Sequence, residues 1–328
     1  MVDESGERLP AAESDERLAA RLAPALALLA AVGETGHVTR AAELLGIPQP
    51  TASRRLAALA DLVGAPLVVP AGRGIRLTRA GCTLAAASSR ALTTMAAAAR
   101  EVREEIDPAS GRVVLGFLHL LGRTLVPSLI GGFRERHPDI RFSLVQGSRH
   151  DMIEELRAGR IDLVFVAPMP VDAPDLAGVR LADQELVLSV PPSHRLAGRA
   201  RVRVDELAGE ELVTLEPGYG LRQITDELCA AAGFVPRIAF EGQETETVRG
   251  LVAAGLGVAV LPRSAHPATD ATAAPSGVVE IPLSPALYRT IGVSWLQDAR
   301  LPPAVRAFRD HARAGTTDLG PGFRPATS

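Results

Sequence analysis

The sequence predicts an α/β protein with three parts: an N-terminal winged helix–turn–helix, a long helix, and a two-lobed domain of the doubly wound α/β type. Three observations support this prediction. Residues 36–78 contain two short helical patterns followed by two short strand patterns. Residues 79–107 are rich in alanine and lack proline. Beyond Gly111, apolar runs alternate with helical patterns, which is the order typical of parallel sheets covered by helices.

The two short helices are separated by a tight break at Gly46. We predict that Thr39 caps the first helix and that Gly46 ends it in the left-handed conformation, which favours glycine. Pro50 suits the first turn of the second helix, because its missing N–H loses no hydrogen bond there. The pattern therefore predicts helix, tight turn and helix.

The second helix has an apolar face and a polar face. At about 100° per residue, one narrow sector collects the apolar side chains of Ala52, Leu56, Leu59 and Val63. Ser53 and Arg54 lie on the opposite face in the early turns. This layout is typical of a helix–turn–helix, whose second helix presents its N-terminal outward residues to the DNA major groove. A structural helical hairpin with a solvated polar face is the alternative.

Two strand patterns follow, at residues 66–69 and 75–78, and a glycine-bearing turn joins them. They predict a wing, from which Arg73 and Arg76 would contact phosphates beside the groove. Residues 37–90 hold seven arginines and two acidic residues, whereas the whole chain has a formal net charge of −3. This local positive charge favours a DNA-binding role for the segment.

Residues 32–81 resemble the winged helix–turn–helix of LysR-type transcriptional regulators. The matching features are AAELLGI, Gln49-Pro50 followed by Ser53-Arg54, Leu59, Gly64, Pro66-Leu67, Gly72-Arg73-Gly74, Leu77-Thr78 and Ala80-Gly81. The chain departs from the family pattern at Pro48, at Ala60 and over residues 68–70, which affects the base contacts more than the fold. The resemblance implies that the chain binds double-stranded promoter DNA. The predicted contact residues are Thr39, Arg40, Gln49, Pro50, Thr51, Ser53, Arg54, Arg55, Arg73 and Arg76.

Residues 79–107 predict one long helix that carries an apolar stripe with heptad-like spacing. The stripe consists of Leu92, Met95, Ala99, Val102 and Ile106. Such a helix lies on its own domain, or it pairs with its copy as a linker and dimerisation helix. The resemblance implies the second arrangement, and we expect a homodimer or homotetramer. RNA polymerase is a further candidate partner.

The remainder of the chain predicts a domain of two α/β lobes over residues 111–314. Lobe I comprises residues 111–170 and 286–314, and lobe II comprises residues 171–285. Two lobes joined by crossing strands resemble the periplasmic-binding-protein-like effector domain of the same family, and FRERHPDIRFSLVQG, LRAGRIDLVFVAP and LVAAGLGVAVLP match it closely. Residues 18–78 form the DNA-binding domain. We expect the acidic residues 1–17 and the residues 315–328 to be disordered.

In such a fold a small-molecule effector lies between the lobes, at the carboxyl ends of strands and the amino ends of helices. The residues predicted there are His119, Leu120, Gly122, Thr124, Gln146, Pro168, Tyr219, Arg222, Gln243, Glu244 and Thr245. Arg222 would attract an anionic effector, or it pairs with Glu216 or Asp226. His119 would likewise bind the effector or serve only as a hydrogen-bonded structural residue.

The composition excludes several chemistries. The chain contains no lysine, and therefore no phosphate-loop lysine and no Schiff base with pyridoxal phosphate. It also lacks GxGxxG, GxSxG and HExxH motifs, so we predict no catalytic residues, no cofactor and no metal. An enzyme that uses Cys229 or His119 therefore has no supporting motif.

Two further alternatives concern location and redox chemistry. The sequence shows no membrane-length apolar stretch and no signal-peptide pattern, so we expect a cytoplasmic protein without membrane contact rather than a solute-binding protein for transport. Cys82 and Cys229 lack metal-ligand spacing. They predict reduced, packed thiols, and a redox-sensing regulator that uses one of them is the alternative function.

Overall fold

The computed structural model describes residues 19, 21–72, 74–106, 111–170, 172–264, 277–315 and 323–325. The acidic segment 1–17, Arg73 and most of the segment 316–328 lie outside these residues. The chain divides into two compact units, Met1–Ala96 and Ala97–Ser328. Within the described residues, no helix is both long enough and apolar enough to cross a membrane.

The first unit is a winged helix–turn–helix. Its elements are a 3-10 turn at Ala23–Ala25, α1 (Leu26–Thr35), α2 (Val38–Leu44), α3 (Gln49–Val63), β1 (Val68–Ala71) and β2 (Gly74–Leu77). The two strands pair antiparallel, with Val68 opposite Leu77 and Ala71 opposite Gly74, which makes the predicted wing. The buried side chains of Leu29, Val32, Leu56 and Leu67 form the core of the unit.

The turn between α2 and α3 follows the glycine-terminated geometry expected at Gly46. The Ile47 N–H donates to the Ala42 carbonyl at 3.0 Å, and the Gly46 N–H donates to the Glu43 carbonyl at 3.1 Å, with Gly46 at φ +63°. The predicted cap at Thr39 is wrong. Thr39 is the second residue of α2 and is exposed, because the helix begins one residue before it at Val38.

The long helix α4 runs from Arg79 to Ile106, within one residue of the predicted segment. Its apolar stripe faces solvent in the single chain: the exposed fractions of Met95, Val102 and Ile106 are 68%, 55% and 80%. The interpretation that this face lies on its own domain is therefore wrong for these three side chains.

The last ten residues of α4 belong to the second unit and are fixed to it by buried polar contacts. The Arg100 guanidinium binds both oxygens of Asp162, at 2.9 and 2.6 Å. Asp162 also accepts the Val114 N–H at 2.8 Å, and Glu104 accepts the Ala304 N–H at 2.9 Å. Glu104 and Asp162 are both shielded from water, so these contacts tie the end of α4 to lobe I.

Lobe I contains three parallel strands covered by helices, as predicted. Its elements are β3 (Arg112–Leu118), α5 (Leu125–Arg134), β4 (Arg141–Gly147), α6 (Arg149–Arg157), β5 (Leu163–Val166) and α9 (Pro303–Ala314). The strand β3 lies between β4 and β5 and pairs parallel with both. Phe133 and Phe308 pack edge to face in its core, with ring centroids 5.1 Å apart.

Lobe II has its own core. Its elements are β7 (Val202–Arg203), a 3-10 turn at Val204–Leu207, β8 (Glu211–Leu215), α7 (Gly220–Ala231), β9 (Arg237–Gly242), α8 (Thr245–Ala253) and β10 (Ala259–Pro262). β8 and β9 pair parallel. Leu212, Leu221, Val248 and Val260 are among its buried side chains.

Two long antiparallel strands, β6 (Leu176–Val190) and β11 (Val279–Leu296), run through both lobes. Leu181 packs in the core of lobe I, whereas Leu188 packs in the core of lobe II. The predicted boundary at residue 171 is therefore wrong, because lobe I also contains the first part of β6. The apolar run 186–190 revealed only the second half of this strand, since charged residues interrupt the first half.

A three-residue strand, β12 (Phe323–Pro325), pairs antiparallel with β6. Phe323 lies opposite Gln184 and packs against the core of lobe I. The Arg324 guanidinium stacks over the ring of Tyr288, 4.3 Å from its centroid. The expectation of disorder over 315–328 is therefore wrong for these three residues.

Candidate functional site

The first candidate surface is the outward face of α3. Ala52, Leu56 and Leu59 are buried, as the periodicity predicted. On the other side, the Gln49 side-chain amide donates to Ser53 Oγ at 2.9 Å, and Gln49 and Pro50 are exposed. This hydrogen bond holds two groups that can both bond to base edges next to each other at the N-terminal end of the helix.

The surface around this helix end is positively charged. Arg40 on α2, Arg54 and Arg55 on α3, and Arg76 on β2 are all exposed. None of the four has an acidic partner among the described residues, and Arg54 donates only to the Pro50 carbonyl, at 3.4 Å. Thr39 and Pro50 are also exposed, whereas Thr51 and Ser53 are half-buried. These predicted contact residues share one unit with the wing, which can bring base and phosphate contacts to the same duplex.

The second candidate site is a small cavity between lobe I and lobe II. It lies beside the residues that follow β3 and the starts of α6, α7 and α8. Its residues are Leu118, His119, Leu120, Gly147, Arg149, Ala167, Leu215, Tyr219, Gly220, Leu221, Gln243, Thr245 and Arg289. The cavity volume is about 30 Å³. Ligand pockets typically measure roughly 300–1,000 Å³, so a ligand of ordinary size requires the lobes to move apart.

Five of the eleven predicted effector residues line this cavity: His119, Leu120, Tyr219, Gln243 and Thr245. Six do not line it: Gly122, Thr124, Gln146, Pro168, Arg222 and Glu244. Thr124 and Glu244 are exposed residues that directly precede α5 and α8. Gly122 packs against Gln146, where a Cβ would meet the Gln146 amide nitrogen at 2.6 Å.

Arg222 lies in a wider groove of about 630 Å³, which α6 and α7 border and which shares Arg149 and Tyr219 with the cavity. It forms ion pairs with Asp226, at 2.9 Å, and with Glu241. Burial lowers the pKa of Arg222, but the hydrogen bonds to Glu241 and Asp226 raise it further than burial lowers it. Its charge is therefore balanced within the protein, and the predicted pairing with Asp226 is confirmed.

Two arginines that the sequence interpretation missed line the cavity. Arg289, on β11, is 4% exposed, and its Nε and Nη2 donate to the Gln184 side-chain oxygen at 3.0 and 2.7 Å. Burial lowers the pKa of Arg289 to about 9, so the group still carries its charge at neutral pH. Arg149 donates to the Pro168 carbonyl at 2.7 Å, and burial, followed by the charge of Arg157, lowers its pKa.

The signal for Arg289 was present in the sequence. It directly precedes the strand pattern that begins with Thr290-Ile291-Gly292-Val293, and a buried arginine is uncommon unless it is paired or functional. Arg149 follows β4 and starts α6. Ligands in such folds bind at the carboxyl ends of strands and the amino ends of helices, and Arg149 has this position. It could have been found by the same rule that selected Tyr219 and Thr245.

Three more polar groups at the cavity lack hydrogen-bond partners among the described residues. They are the Tyr219 hydroxyl, the Thr245 hydroxyl and His119 Nδ1, and the last is fully buried. Burial raises the pKa of Tyr219, and the charges of Glu216, Asp151 and Glu244 add to this effect. Buried polar groups normally find partners, so His119 Nδ1, together with the two hydroxyls beside it, indicates a site that a polar ligand completes.

The cysteines and the metal-ligating side chains form no site in the described part of the chain. Cys229 is 2% exposed, and burial, aided by the charge of Asp226, raises the pKa of its thiol to about 11. Cys82 is exposed on α4. The described residues include no group of three or more His, Cys, Asp or Glu side chains placed to hold a metal ion.

Comparison with known proteins gives the class. A bacterial regulatory helix-turn-helix model of the lysR family matches residues 24–82, and the LysR substrate binding domain model matches residues 107–317. The uncharacterized HTH-type transcriptional regulator YybE of Bacillus subtilis (strain 168) is 37% identical over 84% of this chain and 92% of its own. The chain therefore belongs to the LysR family, and it is a DNA-binding transcriptional regulator with an effector-binding domain.

Solved structures agree with the fold. The effector-binding domain of QuiR in complex with shikimate is 28% identical, with a TM-score of 0.58, over 63% of this chain and 97% of that one. A full-length OxyR variant from Pseudomonas aeruginosa has a TM-score of 0.66 at 24% identity, over 93% of this chain and 98% of that one. The predicted family and fold class are confirmed.

Proposed function

We propose that the protein binds specific promoter sequences and that a small molecule held between its lobes controls this binding. The cavity carries the proposal, because unpartnered polar groups from both lobes meet there. His119 comes from lobe I, and Tyr219 and Thr245 come from lobe II. A molecule that bonds to both sets binds one arrangement of the lobes better than another, as gating requires. The similar QuiR domain has been solved with shikimate, which supports a small organic effector.

The DNA contacts divide into base-reading and phosphate-binding residues. Arg54 and Ser53 lie at the start of α3, where recognition helices reach base edges. Arg76 lies on the wing and is assigned to the phosphate backbone, and Arg73, which is outside the described residues, is assigned to it as well.

Gel shifts on an operator selected from random DNA and on a scrambled duplex test this division. Arg54→Ala should cost about 1–3 kcal/mol on the operator and little on the scrambled duplex. Arg76→Ala should weaken binding to both duplexes and reduce the salt slope by about one. Equal losses on both duplexes for Arg54→Ala would reassign that residue to the phosphate backbone.

We further propose that two copies pair through the exposed stripe of α4. Met95, Val102 and Ile106 are large apolar groups on one helix, spaced seven and four residues apart, and they are well exposed in the single chain. A dimer presents two recognition helices to two half-sites. The dimer or a tetramer would act in the cytoplasm, where promoter DNA and the candidate partner RNA polymerase are found.

The redox-sensing alternative has less support. A sensor thiol needs thiolate character and access to the oxidant. Cys229 has neither, because it is buried and its thiol pKa is raised to about 11. Cys82 is accessible, but the described residues place no second thiol beside it.

A further inference from the structure

We propose that the effector is an anion and that Arg289, with Arg149, binds its charged group at the floor of the cleft. This inference rests on the proposed function, since it assigns the chemical class of the molecule in the same cavity. Arg289 and Arg149 thus take the role that the sequence predicted for Arg222, whose charge is already balanced by two carboxylates.

The cavity carries positive charge. Among the lining residues, Arg149 and Arg289 are cationic and none is acidic. The wider groove that holds Arg222 differs in this respect, because Asp172, Asp226 and Glu227 also line it. The small cavity thus concentrates positive charge beside the buried Arg289, where a bound anion is stabilised more than in solution.

The strand β6 provides Arg289 with an uncharged partner, Gln184. The strand reads Asp183-Gln184-Glu185, and alternation places only the central residue on the side of Arg289, which it faces across the ladder. The two flanking acids are engaged elsewhere: Asp183 accepts the Thr290 hydroxyl, and Glu185 pairs with Arg263 at 2.7 Å. The buried guanidinium therefore has a neutral amide as its neighbour.

Another buried arginine of the same two-lobed domain has a carboxylate partner, as buried charges usually do. Arg249 is 7% exposed and binds the Glu280 carboxylate at 2.5 Å. A guanidinium has five N–H donors, and Gln184 uses one on Nε and one on Nη2 of Arg289. The remaining donors of a residue that lines the cavity are available to an oxyanion, which planar guanidinium groups bind in bidentate geometry.

Two helices begin at the cavity. α7 and α8, of 12 and 9 residues, begin at Gly220 and Thr245, and both of these residues line the cavity. Their first N–H groups and the positive ends of their dipoles favour negative charge. The Thr245 and Tyr219 hydroxyls can donate to the same group. Leu118, Leu120, Leu215 and Leu221 give the cavity apolar walls, which suits a carboxylate or similar oxyanion on an organic body.

The test uses the full-length protein and pairs of probes that differ in charge. Thermal shift and calorimetry would compare a panel of small carboxylates, sulfate and phosphate with the matched neutral amides and esters. We expect at least one anion to raise the melting temperature, and its neutral analogue to bind at least tenfold more weakly. A panel in which no anion binds, or in which the neutral analogues bind equally well, overturns the proposal.

Substitutions of the two cavity arginines test whether they bind the anion. Arg289→Gln and Arg149→Gln should each weaken binding of the best anion at least tenfold, and Arg289→Lys should recover part of the loss. Arg222→Gln is the matched control, with an unchanged dissociation constant. Wild-type affinity in both Arg289→Gln and Arg149→Gln also overturns the proposal, and the second variant keeps the test decisive if the first does not fold.

Measurements of operator binding distinguish the anionic nature of the effector from its control of DNA binding. Neutral compounds that bind the cleft and shift operator affinity would refute the anionic assignment but leave the gated regulator standing. Anions that bind through Arg289 without any effect on operator affinity would support the anion site and refute gating.

Discussion

Arg289→Met should make the ligand-free protein more stable, although it removes a residue that we place in the binding site. Burial lowers the pKa of Arg289 from 12.5 to about 9. That difference corresponds to about 5 kcal/mol of unfavourable free energy for the charged group in the folded state. Because the folded-state pKa is the lower one, the unfavourable term is fully present at pH 7 and decreases only above pH 9.

The variant also loses the two hydrogen bonds to Gln184. An amide oxygen left unsatisfied in a buried position costs about 1–3 kcal/mol. The difference between the two effects predicts a free energy of unfolding about 2–4 kcal/mol higher than that of the wild type, with methionine filling most of the volume of the arginine stem. Urea denaturation at pH 7, followed by circular dichroism without added anions, measures it.

Arg249→Met is the matched control, because it removes a buried arginine of similar exposure that does have a carboxylate partner. Glu280, 15% exposed, would be left without its partner, so we expect a loss of about 3–5 kcal/mol. Opposite signs for the two variants support the reasoning. A loss of stability in Arg289→Met comparable to that in Arg249→Met would show that the folded protein already compensates the charge of Arg289.

Three further predictions concern the helix α4 and the cysteines. Met95→Glu should shift the protein towards monomer in sedimentation, because burying an unpaired charge costs several kcal/mol; an unchanged mass would place the dimer contact elsewhere. At pH 7 iodoacetamide should label Cys82 and spare Cys229, since a thiol pKa of about 11 leaves roughly one thiolate in ten thousand; mass spectrometry reads the result. Arg100→Ala should lower the free energy of unfolding by about 2–3 kcal/mol and increase amide exchange over residues 97–106, because it leaves the shielded Asp162 carboxylate without its cation.

The fold was largely predictable because each signal was local. Gly46 ends α2 in a left-handed conformation that depends on its own missing Cβ. The buried runs of β3 and β5 are apolar enough to identify without knowledge of their neighbours. The strand β6 was missed in its first half because charged residues on its outer face interrupt the apolar pattern.

The site was less predictable because its properties depend on pairing in space. A rule about strand ends and helix starts selected Tyr219 and Thr245 correctly as cavity residues. The same sequence offers Arg222 and Arg289 as equivalent cations. Only the folded chain shows that the first has two carboxylate partners and the second a neutral amide.

Two of the polar contacts across the cavity are weak, which affects how an effector can act. One is the ion pair between Arg123 and Glu246 at 2.9 Å, whose side chains are 52% and 47% exposed. Another is the His150 N–H, which donates to the Gly218 carbonyl across the two lobes at 3.2 Å. Exposed ion pairs contribute about 0–1 kcal/mol, so the Arg123–Glu246 pair opposes separation of the lobes only weakly.

Lobe I carries the end of α4, because Arg100 and Glu104 fix that helix to Asp162 and to the start of α9. Opening of the cleft therefore changes the position of lobe II relative to α4, with lobe I and the helix end moving as one body. An effector that joins the lobes through Arg289 and Thr245 acts on the DNA by selecting one position of lobe II. The response should consequently depend on what lobe II contacts in the second copy of the assembled regulator.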